Sequence, residues 1–203
     1  MKISIEPYTP TWAEEFSRLK TELEFLLPHF QFKIEHIGST SVPGLAAKPI
    51  IDIMVGIQDT NQFPQIIQNI LTNPYYIYYQ AFNEFFPERR LFVKLKKEVN
   101  EAGFPNTFSD LESIPHDLIN PLRIAHIHIW PLQSEHWLRH LAFREYLKVH
   151  KEVRDEYAQI KKELGKQEWE HGMAYNEGKD AFIKREEKKA VLWYQGKLPW
   201  NFQ

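Results

Sequence analysis

The sequence predicts an α+β fold, in which a mixed β-sheet carries flanking helices and the C-terminal third is helical. Over the first two thirds of the chain, short apolar or alternating segments typical of strands are interleaved with helical patterns. From about residue 132 onward only helical periodicity remains. Because no repeat, low-complexity tract or linker interrupts the 203 residues, we expect a single domain over 1–203, with its helical portion at about 132–203.

The N-terminal elements should be a helix and two strands. Apolar residues that recur every three or four positions predict a helix between Pro10 and Pro28. FKIEHI at 32–37 is predicted as a strand, and PIIDIMVGI at 49–57 is so continuously apolar that both faces of its strand should be buried. Asp52 interrupts that apolar run, and a buried carboxylate must be hydrogen-bonded, paired or bound to a metal ion.

The middle of the chain combines regular and irregular patterns. Apolar spacing predicts a helix near 63–71, and YYIYYQ and LFVKLK are predicted as further strands. Between Lys97 and Pro121 neither period is found, and long irregular segments are uncommon in compact domains. We expect a mobile loop that acts as a lid, and the alternative is a disordered segment. RIAHIHIW is a clear strand, in which His126 and His128 point to the same face.

Three helices should form the C-terminal third. Ser134 is a suitable N-cap for the first of them. An apolar series between Val153 and Leu164 marks the second, and the third carries Lys179 on the face that also holds aromatic residues.

Composition narrows the classes of function. The formal charge is −2, from 25 basic and 27 acidic side chains, so no global field attracts a nucleic acid or an anionic membrane. The absence of cysteine removes disulfides, zinc-thiolate sites and thiol catalysis. The first residues lack the apolar core of a signal peptide, and no apolar run is long enough for a membrane span. We therefore expect a cytoplasmic protein whose partner is a small molecule, and the oligomeric state stays open.

The segment IEHIGSTSVPGLAAKPIIDIMV contains the strongest chemical signal. A strand that leads into a Gly-Ser turn exposes backbone N–H groups, which can hold a phosphate. The turn lacks the Gly-Lys-Ser/Thr ending of a P-loop, and alone it would be an ordinary turn. Asp52, which follows Ser39 by thirteen positions on an apolar strand, is what favours a phosphate and metal site.

The segments HIGSTSVPGLAAKPIIDI, HIHI, FREYLKVH and AYNEGKDAF together resemble the GrpB family, which is assigned to the polymerase-beta-type nucleotidyltransferase superfamily. The resemblance implies a nucleotidyltransferase-like sheet, a phosphate or nucleotide site, and a divalent metal that is held by the catalytic carboxylate Asp52. The phosphate-binding residues that it implies are Gly38, Ser39, Thr40 and Lys48 from the turn and its surroundings, with Arg144 and Lys179 from the helices that could close the cleft.

The sequence departs from an active nucleotidyltransferase at Met54. Such enzymes place a second acidic residue two positions after the first, and magnesium prefers oxygen ligands. His126 and His128 are the best substitutes, because alternating strand positions let both converge on Asp52. The expected metal ion is magnesium or manganese, or it is zinc if the two histidines are ligands. The alternative is that both histidines only form hydrogen bonds in the sheet.

Three functions therefore stay open at the level of sequence. The first is a metal-dependent, nucleotidyltransferase-like protein that binds a nucleotide or phosphorylated metabolite. The second is a non-catalytic binding or regulatory module that has lost the second metal carboxylate, which Met54 favours. The third is a metal-dependent hydrolase of phosphoesters that is built on the histidine pair.

Overall fold

The computed structural model describes residues 3–132, 134–169 and 172–197, and within them helices and strands alternate as predicted over the first two thirds of the chain. Along the chain the elements are α1 (Thr11–Leu26), β1 (Phe32–Ile37), β2 (Ile51–Ile57), α2 (Phe63–Leu71), β3 (Tyr76–Tyr78), β4 (Arg90–Leu95), α3 (His116–Ile119), β5 (Arg123–Pro131), α4 (Glu135–Val149), α5 (Lys151–Gly165) and α6 (Gly172–Gln195). The predicted helical portion also includes positions 133, 170, 171 and 198–203, which lie outside the described residues.

The strands form one five-stranded sheet in the order β1-β2-β5-β4-β3. β2 and β5 run parallel, and the other neighbouring pairs are antiparallel. The sheet is therefore mixed, and the predicted α+β class with a helical C-terminal third is confirmed. The predicted neighbourhood of FKIEHI, PIIDIMVGI and RIAHIHIW is also confirmed, because β2 lies between the other two strands.

The two faces of β2 pack against different layers, which explains its nearly continuous apolar sequence. Ile51, Ile53 and Val55 face the core that α1 and α2 cover. Asp52 and Met54 alternate onto the opposite face, toward the C-terminal helices. The site residues of β2 and β5 therefore lie between the sheet and those helices.

The C-terminal helices pack on the turn that follows β1. Ser134 accepts a hydrogen bond from the backbone N–H of Trp137 at 3.2 Å, which confirms it as the N-cap of α4. Val42 and Leu45 of the turn pack with Tyr157 of α5 and Phe182 of α6 in one apolar cluster. Helix packing thus holds the Gly38 turn against α5 and α6.

The irregular segment between Lys97 and Pro121 is anchored to the sheet, so the expectation of a mobile lid finds no support in its packing. The backbone N–H of Phe108 donates to the carbonyl of Tyr78 at 3.0 Å, and that of Tyr78 donates to the carbonyl of Asn106 at 2.8 Å. Four of its apolar side chains are buried beside β4, namely Val99, Phe108, Ile114 and Ile119. These anchors are separated by turns, and periodicity therefore did not detect them.

Candidate functional site

Asp52 and two histidines form the centre of the site. In the parallel register Asp52 lies beside His126, and Met54 lies beside His128. Asp52 Oδ1 is 3.0 Å from Nδ1 of His126 and 3.9 Å from Nε2 of His128. One ligand atom from each of the three residues lies within 4.8 Å of the others, so the sequence expectation that they converge is met.

Hydrogen bonds at both ring nitrogens of His126 define which of them carries the proton. Nε2 is 3.1 Å from NH1 of Arg123, and because arginine only donates, Nε2 must accept. The proton therefore lies on Nδ1, which donates to Asp52. Burial lowers the pKa of His126, which agrees with a neutral ring. Burial alone would raise the pKa of Asp52, but the hydrogen bond from His126 and the neighbouring His128 outweigh it and hold that pKa below its ordinary range.

Gly38 makes the closest backbone approach to the carboxylate. Its φ is 69° and its ψ is −172°, a conformation that is essentially restricted to glycine. A Cβ at this position would lie 2.4 Å from Asp52 Oδ2, well inside contact distance. A short turn over Ser39–Ser41 follows, and the hydroxyl of Ser41 closes it by donating to the Gly38 carbonyl at 2.6 Å. The Gly-Ser signal thus reflects a turn that is pressed against Asp52.

Three lysines from separate parts of the chain converge beside this turn. Lys161 of α5 is 2% exposed, and its Nζ donates to Ser39 Oγ at 2.9 Å. Lys48 precedes β2 and Lys179 belongs to α6, and their ammonium groups lie 4.0 and 4.8 Å from the centroid of the buried Tyr175 ring. The cationic groups are therefore positioned by aromatic faces and by Ser39. We call Lys48, Lys161 and Lys179 the lysine cluster.

The lysine cluster is short of negative charge. Burial lowers the pKa of Lys48 to about 7, that of Lys161 to about 6 and that of Lys179 to about 8, and the charge of Lys179 adds to the shift of the other two. Asp52 is the carboxylate that opposes all three shifts, and among the described residues no other carboxylate does so. A site with this imbalance favours an anionic ligand, because such a ligand would supply the missing charge.

Two residues that the family resemblance assigned to phosphate binding make hydrogen bonds to other residues of the protein. Thr40 is buried, and its hydroxyl lies 3.0 Å from Nε2 of His36, whose ring stacks on Phe16 of α1. Arg144 bonds to Glu35, Glu145 and the carbonyl of His36, at 2.7, 2.7 and 2.8 Å. Thr40 therefore faces the α1 side, and Arg144 joins α4 to β1.

Met54 occupies the position at which an active nucleotidyltransferase would carry its second metal-binding carboxylate. Its side chain is fully buried in an apolar cluster with Ile37, Trp130 and Trp137. Two magnesium ions about 4 Å apart need several anionic oxygen ligands, which this face does not offer among its described residues. Two imidazoles and one carboxylate instead fit a single transition-metal ion such as manganese or zinc.

Sequence reasoning missed Lys161 and Arg123. Lys161 follows Tyr157 by four positions and so lies on the buried face of α5, where an isolated lysine is a usable signal. Arg123 gave no such signal, because it and His126 differ by three positions on a strand and only the folded chain shows their hydrogen bond. His140 of α4 was also missed, and its ring centroid lies 6.4 Å from that of His128.

Comparison with known proteins identifies relatives along nearly the whole chain. The model of the GrpB protein family matches residues 2–189. The crystal structure of the conserved protein GrpB from Enterococcus faecalis superimposes with a TM-score of 0.75 at 31% identity, over 95% of this chain and 99% of that one. The UPF0157 protein YqkA of Bacillus subtilis is 29% identical over 196 residues, which are 97% of this chain but 49% of that protein.

A weaker likeness links the fold to Cid1, which is described as an RNA terminal uridylyl transferase. Its TM-score is 0.47 at 15% identity, over 77% of this chain, and it carries no argument about activity. The family match and the Enterococcus faecalis structure each cover most of the chain. This protein therefore belongs to the GrpB family.

Proposed function

We propose that the protein binds a phosphorylated small molecule, a nucleotide or another phosphorylated metabolite, between the Gly38 turn and the lysine cluster. The observation that carries the proposal is the convergence of three desolvated lysines beside the Gly38 turn: Lys161 donates to Ser39, Lys48 and Lys179 lie over Tyr175, and Asp52 is the carboxylate that acts on all three. Burying cations without partners costs free energy, and a phosphate group would offset that cost with charge-assisted hydrogen bonds. The net charge of −2 adds no general attraction for nucleic acid.

Each residue has a distinct part in holding the ligand. Lys48 and Lys179 approach over Tyr175 and would neutralise phosphate oxygens, and Lys161 would do so while it holds Ser39 in place. Asp52, His126 and His128 would hold one divalent metal ion, manganese or zinc before magnesium. Such an ion would polarise a phosphoryl oxygen.

The buried Met54 favours a second candidate function, a binding or regulatory module without nucleotidyl transfer. A two-magnesium transfer reaction would need the carboxylate that Met54 replaces. Both candidates share the phosphate site, and they differ in whether a bound nucleoside triphosphate is turned over to release pyrophosphate.

Replacing Lys179 by Met tests the shared site. We expect wild-type protein to gain thermal stability from at least one compound in a panel of nucleotides, phosphorylated metabolites and coenzyme A precursors, with and without manganese. A ligand at 100 times its dissociation constant adds about 2.7 kcal/mol. Lys179→Met should lose most of that gain, whereas Lys188→Met, an exposed position on the same helix, should keep it. Equal responses of the two variants would contradict the proposal.

A further inference from the structure

Arg123 contacts one of the candidate metal ligands, and its charge acts on the lysine cluster. Its NH1 donates to His126 Nε2 at 3.1 Å on one side, and its charge lowers the pKa of Lys48 on the other. Its Nε is buried and has no hydrogen-bond partner among the described residues. Asp52 is the carboxylate whose charge reaches it. A partly buried guanidinium that donates to a neutral ring, and whose buried Nε–H has no partner among the described residues, is able to take an anionic partner.

The same contact determines which nitrogen of His126 is available to a metal ion. While Arg123 donates to Nε2, the imidazole proton stays on Nδ1 and points at Asp52. Nδ1 is the atom that lies 3.0 Å from the candidate ligand Asp52, and a protonated nitrogen cannot bind a metal. Moving the proton to Nε2 would set two donors, Nε2–H and the Arg123 guanidinium, against each other.

We propose that Arg123 couples the two halves of the site, because it withholds His126 Nδ1 from a metal ion until an anionic group of the ligand draws the guanidinium away from His126 Nε2. This inference rests on the proposed phosphate site. Once Arg123 pairs with the anion, Nε2 can carry the proton and donate to water or to the ligand, and Nδ1 is free beside Asp52. Metal and anion then bind cooperatively, and linkage requires each to strengthen the other by the same factor.

The test is the affinity for Mn²⁺ with and without sulfate, which is a tetrahedral dianion that does not titrate near neutral pH and chelates Mn²⁺ weakly. Free Mn²⁺ is measured by electron paramagnetic resonance. In the wild type, saturating sulfate should tighten Mn²⁺ binding by about tenfold or more. Arg123→Met should bind Mn²⁺ at the sulfate-bound affinity without sulfate, and sulfate should then add less than about twofold.

Two further variants separate this role from a structural one. Lysine, like arginine, donates hydrogen bonds and cannot accept them. Arg123→Lys should therefore keep the affinity for Mn²⁺ low in the absence of sulfate. Arg123→Gln can accept from Nε2–H and should bind Mn²⁺ at least as tightly as the Met variant. Arg90→Met removes a guanidinium that bonds to the carbonyls of Pro87 and Arg89 instead of to the site, and should leave the coupling at its wild-type value.

The outcomes distinguish this inference from the proposed function. Sulfate binding that leaves Mn²⁺ affinity unchanged, together with an Arg123→Met variant that binds Mn²⁺ no better than wild type, would overturn the coupling while the phosphate site stands. If the wild type shows no binding of sulfate or of any phosphorylated compound, the proposed function fails first. Nitrogen-15 chemical shifts of the ligand-free protein give a direct readout, since a His126 proton on Nε2 would also overturn the inference.

Discussion

Gly38→Ala is expected to destabilise the protein by about 3 kcal/mol, because two costs add at this position. The backbone at φ 69° and ψ −172° suits glycine alone, and forcing alanine into it costs about 1 to 3 kcal/mol. The new Cβ would also meet Asp52 Oδ2 at 2.4 Å and push the carboxylate away from His126. Chemical denaturation measures the loss, and Mn²⁺ or sulfate binding should weaken in the folded variant.

Gly103→Ala is the matched control for this change. Gly103 has a φ of 78°, and a Cβ there would meet nothing within 4 Å. It should therefore lose only the backbone contribution, about 1 to 2 kcal/mol. If the two variants lose equal stability, the close approach of Gly38 to Asp52 has no energetic consequence and this account of the turn is wrong.

Lys161→Met should make the protein more stable and its anion binding weaker. The ammonium group of Lys161 is buried, and its pKa falls to about 6 in the folded protein, because burial and the charge of Lys179 disfavour the protonated form. Methionine has a similar length and no charge to desolvate. We expect a gain on the order of 2 kcal/mol near pH 7 and at least about a tenfold loss of sulfate affinity.

The stability gain should depend on pH in a defined direction. Between pH 6 and the ordinary lysine value of 10.5, the unfolded chain holds a proton that folded Lys161 gives up, so this lysine makes wild-type stability rise with pH. Below pH 6 both states are protonated and the destabilisation is complete. The advantage of Lys161→Met over wild type should therefore be largest near pH 6 and shrink toward pH 9. Lys162→Met, at an exposed neighbouring position, should show no such trend.

The sequence predicted the sheet well because its central strands have strong local patterns. The apolar run of β2 and the alternation of β5 are properties of single segments, and they were enough to bring Asp52, His126 and His128 together. The lysines of LFVKLK were less informative, because the segment predicts a strand but not the position of that strand in the sheet. β4 is an interior strand, and Lys94 pairs with Glu22 of α1, a partner that no local pattern reveals.

The lysine cluster was predicted only in part, because contacts between residues that are distant in sequence leave no local pattern. Lys48 and Lys179 were expected from the family resemblance, whereas Lys161 reaches Ser39 from 122 positions away. Thr40 and Arg144 matched the motifs, but their neighbours His36, Glu35 and Glu145 hold their polar atoms. Which motif residue binds a ligand depends on the partners that folding supplies.

Calorimetric titration with sulfate at pH 7.5, in two buffers of different ionisation enthalpy, tests the central claim most directly. At this pH Lys48 and Lys161 are largely unprotonated, with pKa values of about 7 and 6, and a bound dianion would raise both. We expect wild-type protein to take up about one proton per sulfate bound, and Lys161→Met to take up markedly less. Sulfate that fails to bind, or that binds without proton uptake, would contradict an anion site built on the lysine cluster.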